Sequence, residues 1–145
     1  MSTYPDLRMR RPRAADWSRR LVRESRLSVD DLIWAVFVSD QDIARDPVAS
    51  MPGCDRVNIE TLVQDAKRAK ALGIPALALF PHIAPRQKNA AASEAFNPDG
   101  LIPNAVRAVK AAVPDIGIIV DVALDPYTDH GHDGVMDGET ILNDK

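Results

Sequence analysis

The amino-acid sequence predicts an α/β fold built on a parallel sheet, and three observations predict it. Apolar runs occur at Leu32-Ile33-Trp34-Ala35-Val36-Phe37-Val38, at Ala76-Leu77-Ala78-Leu79-Phe80 and at Ile116-Gly117-Ile118-Ile119-Val120. Each is nearly continuous rather than alternating, the pattern of a strand covered on both faces. Between the runs lie two segments with apolar residues at helical spacing. The order is therefore strand, helix, strand, helix, strand, which right-handed crossovers turn into two βαβ units.

The elements follow in chain order. Strands are expected near 32–38, 76–80 and 116–122. In the first intervening segment Ile59, Leu62, Val63, Ala66, Ala69 and Leu72 share one helix face. Asn58 supplies an N-cap and Gly73 a stop, with Pro75 close behind. A second helix near 102–113 carries Pro103 in its first turn, where the missing N–H costs nothing. It turns Ile102, Ala105, Val106, Val109 and Val113 inward and closes at Pro114. Residues 134–145 read as the approach to another element. A closed eight-stranded βα barrel needs roughly 250 residues. A chain of 145 residues is thus either a small open sheet or the front of such a barrel.

Composition narrows the class. The length suits one domain, and 46% apolar with 27% charged residues fits a folded, soluble chain. No apolar run approaches the ~20 residues of a membrane span, and the start, MSTYPDLRMRR, lacks the apolar core of a signal peptide. Cys54 is the one cysteine, so no internal disulfide forms. The expectation is a cytoplasmic protein with no membrane partner. Charge is uneven along the chain. Residues 1–26 hold eight arginines against Asp6, Asp16 and Glu24, a net of +5, while the whole chain is −3. A basic arm ahead of an acidic body suits either phosphates or the acidic surface of a neighbouring copy. Tyr4 and Trp17 are its only aromatic residues and no nucleic-acid motif follows, which favours subunit contact or a solvated face over nucleic acid.

In parallel α/β sheets the ligand meets the carboxyl ends of strands. Polar residues stand at all three expected ends: Ser39-Asp40, Pro81-His82 and the segment from Asp121 to Asp125. The third continues through Asp129, His130, His132 and Asp133, and Pro126, Gly131, Gly134 and Gly138 keep it from forming a helix. An EF-hand calcium loop starting at Asp129 fails, because its twelfth place is Thr140 rather than Glu. Zinc on His130 and His132 is a third reading, since alternate residues of an extended chain can share a metal, although a structural zinc site normally has sulfur ligands and Cys54 is the one cysteine. A hard cation on Asp125 and Asp133, such as magnesium or a monovalent ion, and a hydrated acidic turn both remain open. His82 reads as a hydrogen-bonded loop residue, Cys54 as incidental and Lys88 as a solvated lysine in the polar loop 82–98.

Several segments together resemble the 5-aminolevulinate dehydratase (porphobilinogen synthase) family. They are Ser50-Met51-Pro52-Gly53 with Arg56, Leu79-Phe80-Pro81, Ser93-Glu94-Ala95-Phe96-Asn97-Pro98-Asp99-Gly100-Leu101, Asp121-Val122-Ala123-Leu124-Asp125-Pro126-Tyr127-Thr128 with His130-Gly131-His132-Asp133-Gly134, and Ile141-Leu142-Asn143-Asp144. The match runs from about Arg8 to the end. It implies the first three βα units of a (β/α)8 TIM barrel over residues 31–145. An N-terminal arm over residues 1–30 precedes them, in which Arg10, Arg11 and Arg13 grip a neighbouring subunit, usually within a homo-octamer. It implies condensation of two 5-aminolevulinate molecules into porphobilinogen, with Asp121 at the active-site mouth. Zinc-dependent members carry three cysteines where this chain has Ala123, Asp125 and Asp133. The resemblance is therefore to the zinc-independent branch, with Asp125 and Asp133 as ligands for magnesium or a monovalent cation and no active-site zinc. Two positions depart from the family pattern: Ala35 stands where proline is frequent, and Ala92 where glycine is frequent. The family's two Schiff-base lysines lie in its second half, and Lys67, Lys70, Lys88, Lys110 and Lys145 match neither motif. The chain is thus expected to be a front portion, inactive alone. The alternative is a non-catalytic assembly fragment that docks on full-length subunits.

Overall fold

A computed structural model describes residues 4–6, 8 and 10–142. Its centre is a five-stranded sheet in the order β2-β3-β1-β4-β5. The strands are β1 (Ile33–Ser39), β2 (Arg45–Pro47), β3 (Asp55–Val57), β4 (Ala76–His82) and β5 (Gly117–Val120). β1 pairs in parallel with β4 along its whole length, from Ile33 opposite Ala76 to Ser39 opposite His82, and β4 pairs in parallel with β5. Short α1 (Asp16–Leu21) precedes the sheet; α2 (Ile59–Ala71) joins β3 to β4, and α3 (Leu101–Ala112) joins β4 to β5. This is the strand–helix–strand–helix–strand order expected from the apolar runs.

The helix boundaries have local causes. Asn58 Oδ1 accepts from the Thr61 N–H at 2.9 Å, capping α2. At the other end Gly73 takes φ +80°, and the amides of Gly73 and Ile74 donate to the carbonyls of Lys70 and Ala69. That reversal needs a residue without a Cβ penalty. Leu72, expected inward, is the last residue before this turn and is exposed, whereas Asp65 on the same helix is buried. α3 buries Ile102, Ala105 and Val109, as its spacing requires.

Both helices pack on one face of the sheet. Val36, Val38, Leu77 and Leu79 meet Leu62, Ala66, Ala69, Ala105 and Val109 there. The other face carries Ile33, Ala35, Phe37, Ala78, Phe80 and Ile119, which this chain leaves half-buried or exposed. The continuous apolar runs therefore have one face covered within the chain, not two.

Other expectations shift. The third strand ends at Val120, so Asp121 lies just beyond it. It is followed by loops and a small antiparallel ribbon, β6 (Met136–Asp137) and β7 (Thr140–Ile141). The described residues thus contain two strand–helix units and a third strand, and the ribbon lies within the segment 134–145. Asn143, Asp144 and Lys145 lie outside the described residues. The β2–β3 pair was not foreseen from the sequence. It is tied by Arg56 to Asp46 at 2.9 Å, and Arg45 reaches the buried Asp65 at 2.6 Å and Asp55 at 3.6 Å. The hydrogen bond that Arg45 donates to Asp65 raises the Arg45 pKa against a smaller opposing effect of burial.

Candidate active site

The carboxyl ends of β1, β4 and β5 open into a cavity of about 420 Å³. Phe37 and Phe80, neighbours in the strand register with ring centroids 6.0 Å apart, line its apolar side. Asp121, Asp125 and Lys88 supply its charge. Asp121 and Asp125 are thus brought to one cavity. Both side chains are exposed.

The loop that carries them is held by its own residues. Asp133 Oδ1 accepts from the backbone N–H groups of Leu124 and Asp125, the latter at 2.9 Å. Its carboxylate therefore lies against the backbone of Leu124 and Asp125, nine and eight residues earlier in the chain. Thr128 is 2% exposed. Its hydroxyl lies 3.3 and 3.1 Å from the carbonyls of Asp125 and His132, and accepts from the Gly131 N–H at 3.2 Å. One hydroxyl thus gathers three points of the loop, a role that nothing in the sequence pattern disclosed beyond the frequency of threonine in turns. His130 and His132 stack with ring centroids 6.1 Å apart, and His130 Nδ1 accepts from the His132 N–H. That bond places the proton of a neutral His130 on Nε2.

Asp125 and Asp133 carry exposed carboxylates, and the second oxygen of Asp133 accepts from no backbone amide among the described residues. Magnesium characteristically keeps several waters and takes one or two carboxylates. No thiolate is at hand, so a soft zinc site is not built from these residues. Among the described residues no group of three or more His, Cys, Asp or Glu side chains is placed to hold a metal ion.

Two further groups sit at the strand ends. His82, beside Ser39 in the register, has a buried Nδ1 without a hydrogen-bond partner among the described residues. Burial, then the charges of Arg56 and Lys88, lower its pKa from 6.5, opposed by Asp46 and Asp40. Lys88, read from sequence as a solvated lysine, instead lines the cavity. The loop spacing alone held no signal for this, because a hydrogen bond from the Asn89 N–H to the Tyr127 carbonyl, 3.2 Å, folds the loop back. Tyr127 has its pKa raised, chiefly by burial and further by Glu94. Arg10, Arg11 and Arg13 lie far earlier, in and beside a 3-10 turn (Arg11–Arg13), with their side chains exposed.

A parallel βα scaffold whose strand ends carry an acidic, cavity-lining loop places the chain in the α/β class, with a candidate ligand site at the carboxyl ends of the strands. The model of the delta-aminolevulinic acid dehydratase family matches residues 6–145, and the chain belongs to that family. A delta-aminolevulinic acid dehydratase of Bradyrhizobium diazoefficiens is 49% identical over 139 residues, covering 96% of this chain and 39% of the relative. One from Synechocystis is 41% identical over 145 residues, covering 97% and 44%. The crystal structure of the Toxoplasma gondii enzyme, in complex with its reaction product porphobilinogen, superposes with a TM-score of 0.88 at 42% identity, covering 95% of this chain and 40% of that one. The chain spans about two fifths of the length of these relatives.

Proposed function

We propose that this chain supplies the front strands of a (β/α)8 barrel in a zinc-independent 5-aminolevulinate dehydratase. The enzyme condenses two 5-aminolevulinate molecules into porphobilinogen. The observation that carries this reading is the convergence of Asp121 and Asp125 on one cavity at the strand ends, with Asp133 bracing the loop between them. Asp121 and Asp125 would present negative charge to the ammonium group of the substrate, and the aromatic pair Phe37 and Phe80 would exclude water beside it. Asp125 and Asp133 would hold magnesium or a monovalent cation, which when bound adds positive charge for orienting an anionic or carbonyl group. The exposed side of the sheet supports a barrel in which further strands cover Ile33, Phe80 and Ile119.

The arm supports assembly. Trp17, Leu21 and Leu27 are exposed beside the arginines, and such side chains gain from cover by an acidic neighbouring copy. An octamer held partly through Arg10, Arg11 and Arg13, in the cytoplasm, is the corresponding assembly. No helix among the described residues is long and apolar enough to cross a membrane.

A chromogenic pyrrole assay on the enzyme carrying this chain tests the reading. Porphobilinogen should form, and Asp121→Asn should lower turnover about tenfold or more. Absence of pyrrole from 5-aminolevulinate in magnesium and potassium buffer would defeat it. The 145-residue chain alone should form no trapped imine: borohydride with 5-aminolevulinate leaves its mass unchanged, since a lysine needs a dry, pKa-lowering pocket for that chemistry. A stoichiometric adduct would show a reactive lysine within this chain.

A further inference from the structure

The joint between β1 and β3 is the shortest in the central sheet, and a histidine ringed by charge stands beside it. β3 meets β1 at two register pairs, Phe37 with Arg56 and Val38 with Val57, whereas β1 and β4 stay paired from Ile33 with Ala76 to Ser39 with His82. Alternation along the strands puts Phe37, Ser39, Arg56 and His82 on one face of the sheet. His82 is half-buried there. Around its ring stand Arg56 of β3, Lys88 of the loop after β4, Asp46 of β2 and Asp40 of the loop after β1. Both carboxylates are already engaged, Asp46 by Arg56 at 2.9 Å and Asp40 by Arg86 at 3.9 Å. Of the four charged groups around the ring, only Lys88 lines the strand-end cavity.

A neutral His82 suits this setting and a charged one does not. Its Nδ1 is buried and meets no hydrogen-bond partner among the described residues. The charged ring carries an N–H on both nitrogens, so Nδ1 would become a buried donor without an acceptor. It would also face the Arg56 guanidinium. Burial first, then Arg56 and Lys88, lower the His82 pKa from 6.5, and within the ribbon Arg56 acts more strongly than Asp46. A β2–β3 ribbon that draws away from β1 therefore removes more repulsion than attraction from the ring. A group that binds its proton more tightly in the loosened state favours that state as pH falls. We infer that His82 is a proton-operated latch: neutral, it leaves β3 docked on β1, and protonated, it loosens the β1–β3 joint at Arg56. The joint gives way rather than the whole ribbon, because Arg45 still holds the buried Asp65 at 2.6 Å and Asn58 still caps α2. The latch works below 6.5, where the ring takes up its proton.

Hydrogen exchange read by mass spectrometry on the enzyme carrying this chain tests the latch, with wild type and variant compared at the same pH. At about pH 5 the backbone amides of residues 45–57 should exchange about threefold or more faster in wild type than in His82→Asn, whose side chain stays neutral. At about pH 8, where the wild-type ring is neutral as well, the two should agree to within about 1.5-fold. A second comparison separates the latch from a merely structural role of the ring. With Arg56→Gln in both proteins the opposing guanidinium is gone, and His82 should no longer speed exchange at about pH 5 relative to asparagine. If the asparagine variant does not fold, His82→Gln replaces it in both comparisons. Equal exchange of wild type and variant at the acid pH, or an acceleration that persists without Arg56, would overturn the latch.

Discussion

The two faces of the central sheet differ in what this chain gives them. On the helix side Val38, Leu77 and Leu79 are fully buried, locked against Leu62, Ala66, Ala105 and Val109. On the opposite side Ile33 is 57%, Phe80 37% and Ile119 46% exposed. The same strands therefore have a finished core on one face and an unfinished one on the other. The candidate site gathers at the carboxyl rim of the unfinished face, where Asp121, Asp125 and Lys88 share a cavity with Phe37 and Phe80. Stability within this chain comes from one face, and the candidate site lies at the rim of the other.

Truncations across the sheet should break or uphold this division most visibly. Leu79→Ala, on the helix side, should cost about 2–5 kcal/mol of folding stability, through lost burial and the cavity left behind. Phe80→Ala, the next residue but facing away, should cost the 145-residue chain clearly less. Equal losses by denaturant unfolding would show that the second face is finished after all. The polar braces of the helix side come next. Asp65→Ala removes the buried partner of Arg45 and should cost about 1–3 kcal/mol. Asn58→Ala removes the α2 cap and should cost about 1 kcal/mol; thermal unfolding measures both.

At the rim the expected effect is a pH dependence. The His82 pKa is lowered from 6.5 in the folded chain, so the unfolded chain binds its proton more readily. Stability is full above about 6.5 and declines as pH falls from there toward the folded pKa. His82→Asn should flatten that part of the melting-temperature profile; an identical slope in the variant would assign the dependence to another group. The smallest stability effect is expected in the arm. Replacing Arg10, Arg11 and Arg13 with alanine should change folding stability by no more than about 0.5 kcal/mol, because their side chains are exposed. Light scattering should nevertheless report a smaller oligomer, and an octamer of unchanged mass would contradict the arm's role.

How much of this was legible in the sequence follows the same division. The parallel strands and both helices were readable because their apolar spacing, the cap at Asn58, the stop at Gly73 and Pro114 are all local signals. The acidic loop was readable as a site through its density of carboxylates and its resemblance to a family. What escaped depends on contacts distant in sequence. Asp65 reads as a solvent-facing residue until Arg45, twenty residues earlier, reaches it. Lys88 reads as solvated until Asn89 is tied to Tyr127. Thr128 gains its role only once His132 and Gly131 close around its hydroxyl. The continuous apolar strands suggested cover on both faces, and periodicity could not say which face this chain's own helices would take.

Porphobilinogen formation in the presence of a zinc-selective chelator tests most directly whether the Asp121–Asp125–Asp133 loop serves a zinc-independent dehydratase. The enzyme carrying this chain should keep its turnover under strong zinc chelation and gain activity with magnesium, because carboxylates and water favour a hard cation. Activity abolished by the chelator and restored by zinc alone would contradict it.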